Sequence, residues 1–372
     1  MLEEKERRLC QIAQKWARVK PTPFLIIDKR IIREKFEQLC HALGDIKVFY
    51  AVKANPHRRI VEFLRQFQAG FEISSETELN LLLHLDVPPE KIISSNPVKS
   101  PAFIKAAYAA GINHFVVDSF AELEKLAKLA PGSKVGIRLS VSNQGSQWPL
   151  SGKFGVEIEE GISLLMQARE QGLEPHGIAF HVGSQCTDPE SWVQAIARSK
   201  ILWEMAQAKG MELKRLNLGG GFPIRYTEPV PPIAAIGSVV REATRRNFPP
   251  ETEIVVEPGR YLVGEAGVLV ATVIAKARRE GQNWLYLDVG VFNGLMESVG
   301  NIKYPLVAAK EAPLSKWIIA GPSCDSFDVI SSDTELPDVG IGEKIYILSA
   351  GAYTTVYASQ FNGFPIPRVY FL

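Results

Sequence analysis

Residues 47–55 read KVFYAVKAN and residues 253–260 read EIVVEPGR, each a short β-branched or aromatic run that gives way to polar residues. Six runs of the same kind lie between them: GFEISS (70–75), KIISSNP (91–97), HFVVDS (114–119), KVGIRLS (134–140), HGIAFHVGS (176–184) and RLNLGGG (215–221). Longer stretches with apolar residues at helical spacing separate most of them, among them SETELNLLLHL (75–85), FAELEKLAKLA (120–130) and EEGISLLMQAREQG (159–172). Strands that alternate with such helices make parallel βαβ units. Eight units in a row predict an α/β fold built on a (β/α)8 barrel.

Beyond Arg260 the helical spacing fades, and strand-like runs follow: VLVATVIAKA (268–277), WLYLDVG (284–290), SKWIIAG (315–321), KIYILSA (344–350) and PRVYFL (367–372). They predict a second, C-terminal β domain. We place the barrel at 27–262 and the β domain at 263–372, with the segment 1–26 joined to the β domain. TPFLIID (22–28) is a strand-like run that could join it as well.

With 372 residues and 46% hydrophobic content, the chain can bury two cores. Lys and Arg number 42 against 41 Asp and Glu, with no block of like charge, which argues against a nucleic-acid or anionic-membrane partner and for a small molecule. The N-terminus, MLEEKERRLCQIAQKW, has no uninterrupted apolar core, so neither a signal peptide nor a spanning helix is expected, and the expected location is the cytoplasm. Cys10, Cys40, Cys186 and Cys324 are far apart, which fits neither a disulfide framework nor a metal site.

In a barrel of this kind the C-terminal ends of the strands ring one mouth. Lys53, Asn96, Arg138, His181, Ser184, Gly219 to Gly221, Glu257 and Arg260 all fall at such ends. Glycines 219–221 leave backbone amides open to a phosphate, although a glycine triplet is more often only a turn. Lys53 sits in an apolar run, where burial would lower its proton affinity and favour an imine with an aldehyde cofactor. A salt-bridged or snorkelling lysine is the ordinary alternative. His181 could be a satisfied core histidine, Glu257 a partner for Arg260, and Cys324 a small buried hydrophobe. An aldehyde-capturing lysine, a phosphate cradle and a strand-end carboxylate are together what pyridoxal phosphate requires.

The runs YAVKANP, FEISSETEL, FHVGSQ, LNLGGGFP, EPGRYLV, GPSCDSFD and GAYT with FNGF, in this order, resemble the ornithine/diaminopimelate decarboxylase family of fold-type III pyridoxal-phosphate enzymes, closest to ornithine decarboxylase. The resemblance spans nearly the whole chain. It implies an alanine-racemase-like fold in which Lys53 holds the cofactor, His181 stacks on its ring and Glu257 pairs with its nitrogen. Arg138, Ser184, Gly219, Gly220, Gly221, Gly259, Arg260 and Tyr353 resemble further cofactor contacts. It also implies a homodimer with shared active sites, each receiving Cys324 as a proton donor and Asp325 as a holder of the substrate ammonium from the neighbouring subunit.

The run Cys324-Asp325-Ser326-Phe327-Asp328 and FNGF at Phe361 are similar to ornithine-type enzymes, which implies L-ornithine, decarboxylated to putrescine. Glu297 in GLMES, a further substrate-site candidate, and Glu72 depart from the eukaryotic pattern, so lysine and arginine stay open as substrates. Diaminopimelate or carboxynorspermidine decarboxylation, a catalytically silent homologue that binds a protein, and a barrel racemase are the other readings. Intact Lys53, Glu257 and Cys324 argue against the silent homologue, and Glu257 where racemases have Arg argues against the last.

Overall fold

The computed structural model describes residues 3–150 and 152–372. Contacts divide the chain into a unit of residues 36–223 and 231–259 and a unit comprising the chain up to Lys35, residues 224–230 and residues 260–372.

The first unit is the barrel. Its strands, in chain order, are Lys47–Ala51, Gly70–Glu72, Ile92–Ile93, His114–Val117, Lys134–Arg138, Glu174–Ala179, Arg215–Asn217 and Glu253–Val256. Neighbours run parallel, and the eighth strand pairs with the first. The ring closes through Ser94, just past the two-residue third strand: its N–H donates to the His114 carbonyl at 3.3 Å and its carbonyl accepts from Val116 at 2.9 Å. Short apolar runs suffice because both faces of these strands are covered. Ser75, Ser100 and Ser119 stop the local strand habit by accepting from the amides of Glu78, Phe103 and Glu122 at the next helix starts.

The seam between the third and fourth strands carries an additional clip. The Lys99 ammonium is wholly shielded from solvent, ion-pairs with Glu122 at 3.2 Å, and donates to the carbonyls of Asn96 (2.9 Å), Pro97 (3.1 Å) and Val116 (2.7 Å). Burial pulls its proton affinity down to about 8 against the opposing pull of Glu122. Partners on both sides of the seam thus supplement the few ladder bonds that so short a strand provides.

The second unit is a sheet of strands Leu306–Ala308, Lys344–Ile347, Gly267–Arg279, Gln282–Leu287, Leu314–Ala320 and Val329–Pro337, in that spatial order. Phe24–Ile27 pairs antiparallel with Gly267–Val270 and parallel with Arg368–Phe371, so TPFLIID does join this unit. Compared with the expected division at 262/263, residues 27–35, 224–230 and 260–262 group with the β unit. The strand pairing of Ile27 and the side-chain bonds of Arg260 described below account for two of these differences. Two strands of this sheet were not read from the sequence. VISSDTELP (329–337) is half polar because much of it is exposed, and LVA (306–308) is too short to show a period.

The barrel wall is tight where strands cross closely. A side-chain carbon on Gly177 would stand 2.3 Å from the carbonyl oxygen of Arg215, its partner on the seventh strand. Gly177→Ala should therefore destabilise the protein by about 1–3 kcal/mol through forced backbone displacement. Thermal unfolding of the purified variant checks this, and an unchanged Tm would mean that the strand yields freely.

Candidate active site

Within the barrel unit the strand ends deliver a compact polar group. The first strand stops at Ala51, whose N–H donates to the Pro258 carbonyl at 3.1 Å, and the chain then makes a 3-10 turn over Val52–Ala54. Lys53 is on that turn and not inside the strand, and its side chain is 47% exposed. The expected burial of this lysine is thus corrected: the turn lifts it out of the apolar run. Its ammonium faces the Glu72 carboxylate at 3.6 Å, an ion pair longer than a hydrogen bond.

Glu72 ends the second strand and is buried. Beside it, Glu78 accepts the Ser74 N–H at 2.7 Å. Burial, with the charge of Glu72 adding to it, pushes the Glu78 carboxyl up to about 7 against the opposing bonds of Ser74 and Ser75 and the charge of Lys53. Two carboxyls therefore flank the lysine, one of them titrating near neutrality.

His181 follows the sixth strand. Its Nδ1 accepts the Gly183 N–H at 3.0 Å, which leaves the ring proton on Nε2, and its carbonyl is held by Asn143 Nδ2 at 3.0 Å. Burial first, then the charges of Arg138 and Lys53, hold its proton affinity well below the usual imidazole range. A neutral aromatic ring is what can lie flat on a cationic heterocycle without repulsion. Arg138 ends the fifth strand, half-buried, with its charge felt by Glu257, Asp118 and Glu72. Ser184 begins the short strand Ser184–Cys186, which pairs antiparallel with Ser146–Trp148 in a two-stranded ribbon that the sequence reading missed.

The glycine run forms a cradle that side chains would fill. Side-chain carbons on Gly219, Gly220 and Gly221 would stand 2.4, 2.6 and 2.4 Å from the carbonyl oxygens of Phe180, Glu257 and Gly183. Gly219 and Gly221 also take positive φ, at 65° and 98°. Gly259, past the eighth strand, is held to glycine by Ala54, whose Cβ would be 2.8 Å away.

Glu257 is buried. It is held by Ser95 Oγ and by Asn217 Nδ2 at 2.6 Å, both on Oε1. Neither Ser95 nor Asn217 was singled out in the sequence. Ser95 lies in a run read only as strand, and Asn217 precedes the glycines by two residues, within LNLGGG. Burial raises the proton affinity of Glu257, the charge of Glu72 adds to that, and Ser95, Asn217 and Lys53 oppose it.

In the β unit Arg260 is buried against Glu297 in a two-pronged pair at 2.6 Å on each oxygen, donates to Tyr226 at 2.7 Å, and lies over the Tyr353 ring at 4.8 Å. The Glu297 carboxylate, expected toward substrate, is thus occupied by this guanidinium. Cys324 and Asp325 are exposed on the loop 321–328, so the default of a buried cysteine does not hold. That loop is built around buried Asp328, which accepts from Val291 at 2.7 Å and Ser323 at 3.0 Å. The Cys324 N–H donates to Asn362 at 3.0 Å, and the Phe361 ring packs on Phe292 at 4.8 Å. Among the described residues the Asp325 carboxylate accepts the nearby Phe327 N–H at 2.9 Å.

An accessible amine beside paired carboxyls, a neutral imidazole, a bare backbone cradle and a buried carboxylate fit pyridoxal phosphate on every contact it needs: aldehyde, ring face, phosphate and ring nitrogen. Among the described residues no group of three or more His, Cys, Asp or Glu could hold a metal, and no helix is long and apolar enough to cross a membrane.

Comparison with known proteins agrees. Residues 29–264 match the family described as pyridoxal-dependent decarboxylase, pyridoxal binding domain. The lysine/ornithine decarboxylase of Selenomonas ruminantium is 36% identical, over 92% of this chain and 88% of that protein. The ornithine decarboxylase of Mus pahari is 34% identical, over 94% of this chain and 80% of its own length. Among solved structures, a lysine/ornithine decarboxylase from Vibrio vulnificus complexed with cadaverine is 33% identical with a TM-score of 0.91, covering 100% of both chains.

The state of Glu78 is testable through stability. A carboxyl that titrates near 7 when folded and at 4.5 when unfolded makes the fold bind the extra proton between those values. Its contribution is therefore present at low pH and lost as pH rises toward 7. Glu78→Gln should gain stability relative to wild type between about pH 5 and about pH 8, by at most roughly 3 kcal/mol. Tm values of both proteins across that range check the sign, and a relative loss would show that Glu78 is an ordinary ionised carboxylate.

Proposed function

Because the chain belongs to the pyridoxal-dependent decarboxylase family, we propose that it decarboxylates L-ornithine to putrescine and CO2, as a homodimer with shared active sites. The chain is a pyridoxal-phosphate enzyme acting on a basic amino acid. The observation that supports the finer reading is Asp325, an acidic side chain next to Cys324 whose carboxylate has little local engagement and can take a substrate ammonium. Lysine is the second reading, favoured by the names of the Selenomonas and Vibrio relatives.

Bound pyridoxal phosphate supplies the electron sink that makes loss of CO2 from an amino acid feasible. The chain's own groups set up the rest. Lys53 supplies the amine, with Glu72 and Glu78 beside it to balance its charge. Gly219 to Gly221 present backbone N–H groups to phosphate, and Ser184 is the side chain proposed to join them. Glu257 holds a proton at the ring nitrogen, and neutral His181 covers the ring. Cys324 returns a proton to the substrate Cα, which requires a water-poor setting. Its exposure in the single chain supports a covering subunit, so that Cys324 and Asp325 complete the neighbour's site.

Incubation of the reconstituted enzyme with ornithine, lysine, arginine and diaminopimelate, followed by identification of the amines, tests the substrate. Cadaverine as the principal product would replace ornithine by lysine. Asp325→Ala should lower kcat/KM for ornithine by roughly 30- to 5,000-fold, because it strands a desolvated ammonium. A dimeric variant with near-native efficiency would remove Asp325 from the site. Mixed inactive Lys53→Ala and Cys324→Ala proteins should recover activity in about one quarter of sites if the sites are shared. No recovery despite demonstrated subunit exchange would mean that they are not.

A further inference from the structure

The Glu257 carboxylate is embedded in a closed ring of hydrogen bonds. Ser95 Oγ and Asn217 Nδ2 both donate to Oε1, and Asn217 Nδ2 also reaches Ser95 Oγ at 3.2 Å. The Oδ1 atom of the same Asn217 amide accepts the Gly219 N–H at 2.9 Å. The Gly219 carbonyl in turn accepts the Glu257 N–H at 2.8 Å, which completes the ring. Ser95, Asn217 and Glu257 are all buried, so these bonds form away from solvent screening.

Chemically, the two ends of this ring face different tasks. Gly219 opens the glycine cradle, and Glu257 is the carboxylate for the ring nitrogen. The amide of Asn217 is the only side chain in the ring that touches both. Two donors on one carboxylate oxygen fix the rotation of the group and leave Oε2 to present to a ligand.

We propose that Ser95 and Asn217 are positioning residues: they clamp Glu257 by Oε1 so that Oε2 meets the cofactor ring nitrogen, and Asn217 ties that carboxylate to the phosphate cradle, so that one hydrogen-bonded unit registers both ends of the cofactor. The role rests on pyridoxal-phosphate chemistry and is independent of which amino acid is decarboxylated. Other charged groups act on Glu257 as well: Glu72 from the second strand, Lys53 from the turn after the first, and Arg138 from the fifth, while His181 remains neutral. Loss of a donor leaves those influences in place and favours the protonated carboxyl.

The test uses apo-protein reconstituted with pyridoxal phosphate, read by cofactor affinity as well as by turnover. Ser95→Ala should weaken cofactor binding by roughly tenfold, in line with loss of a hydrogen bond to a charged group, and should move the rising limb of the pH profile to higher pH. Ser95→Thr, which keeps the hydroxyl, should restore both. In a Glu257→Gln background Ser95→Ala should change affinity less than about threefold, because coupled residues are non-additive. Inorganic phosphate competing against reconstitution reads the other arm. Asn217→Ala, with Asn217→Leu as a volume-matched companion, should weaken that competition by roughly tenfold, whereas Ser95→Ala should leave it unchanged. Circular dichroism of each variant establishes that it is folded. Equal losses for Ser95→Ala and Ser95→Thr, an undiminished Ser95→Ala effect without the Glu257 charge, or unaltered phosphate competition in folded Asn217 variants would overturn the proposal. Ornithine turnover enters none of these criteria, so a wrong substrate assignment would leave them unaffected.

Discussion

A carboxylate buried at the barrel mouth is the constraint around which its neighbours are organised. Taking the charge of Glu257 out of water disfavours it, and the nearby charge of Glu72 disfavours it further. Compensation comes from dipoles on two other strand ends, Ser95 and Asn217, and from the cations Lys53 and Arg138. None of these groups is a sequence neighbour of Glu257. Only a closed ring of parallel strands brings them within reach, so the barrel is a means of assembling charge as much as a packed core.

The eight strands and their order were legible because each is a short apolar run with a polar end, and a parallel barrel imposes that pattern at every turn. The positions of His181 and Glu257 past strand ends were legible for the same reason. Ser95 and Asn217 were not, since their importance is relational: a serine and an asparagine inside apolar runs carry no periodic signal, and only the third dimension shows them converging on one oxygen. Lys53 was placed in the correct segment but with the wrong environment, because the run YAVKAN does not show that Ala51 ends its strand by bonding to Pro258. Strand Val329–Pro337 escaped because its middle, Ser331 to Glu335, is polar and at least half-exposed on both faces, which dilutes the apolar alternation.

Arg260 illustrates how an adjacent pair of residues can diverge. Gly259 groups with the barrel and Arg260 with the β unit, and the guanidinium is engaged by Glu297, Tyr226 and the face of Tyr353. A pair so well satisfied in a buried setting is costly to break from one side, since the survivor would be left charged and desolvated. The same logic explains Asp328, whose carboxylate organises the loop bearing Cys324 and Asp325 through backbone amides, while those two side chains remain exposed.

The Lys99 clip bears on the dynamics of the barrel. A closed ring of strands opens most readily where fewest ladder bonds must break, and the third strand contributes only two residues before Ser94 bridges to the fourth. That seam also carries Ser95, one residue beyond the bridge. Breathing of the wall at this point would draw the hydroxyl away from Glu257, so the lifetime of the closed seam sets how long the carboxylate keeps its full complement of donors. The shielded ammonium of Lys99, bonded to carbonyls on both sides of the gap, acts as a latch on that motion and links the mechanical integrity of the wall to the readiness of the site.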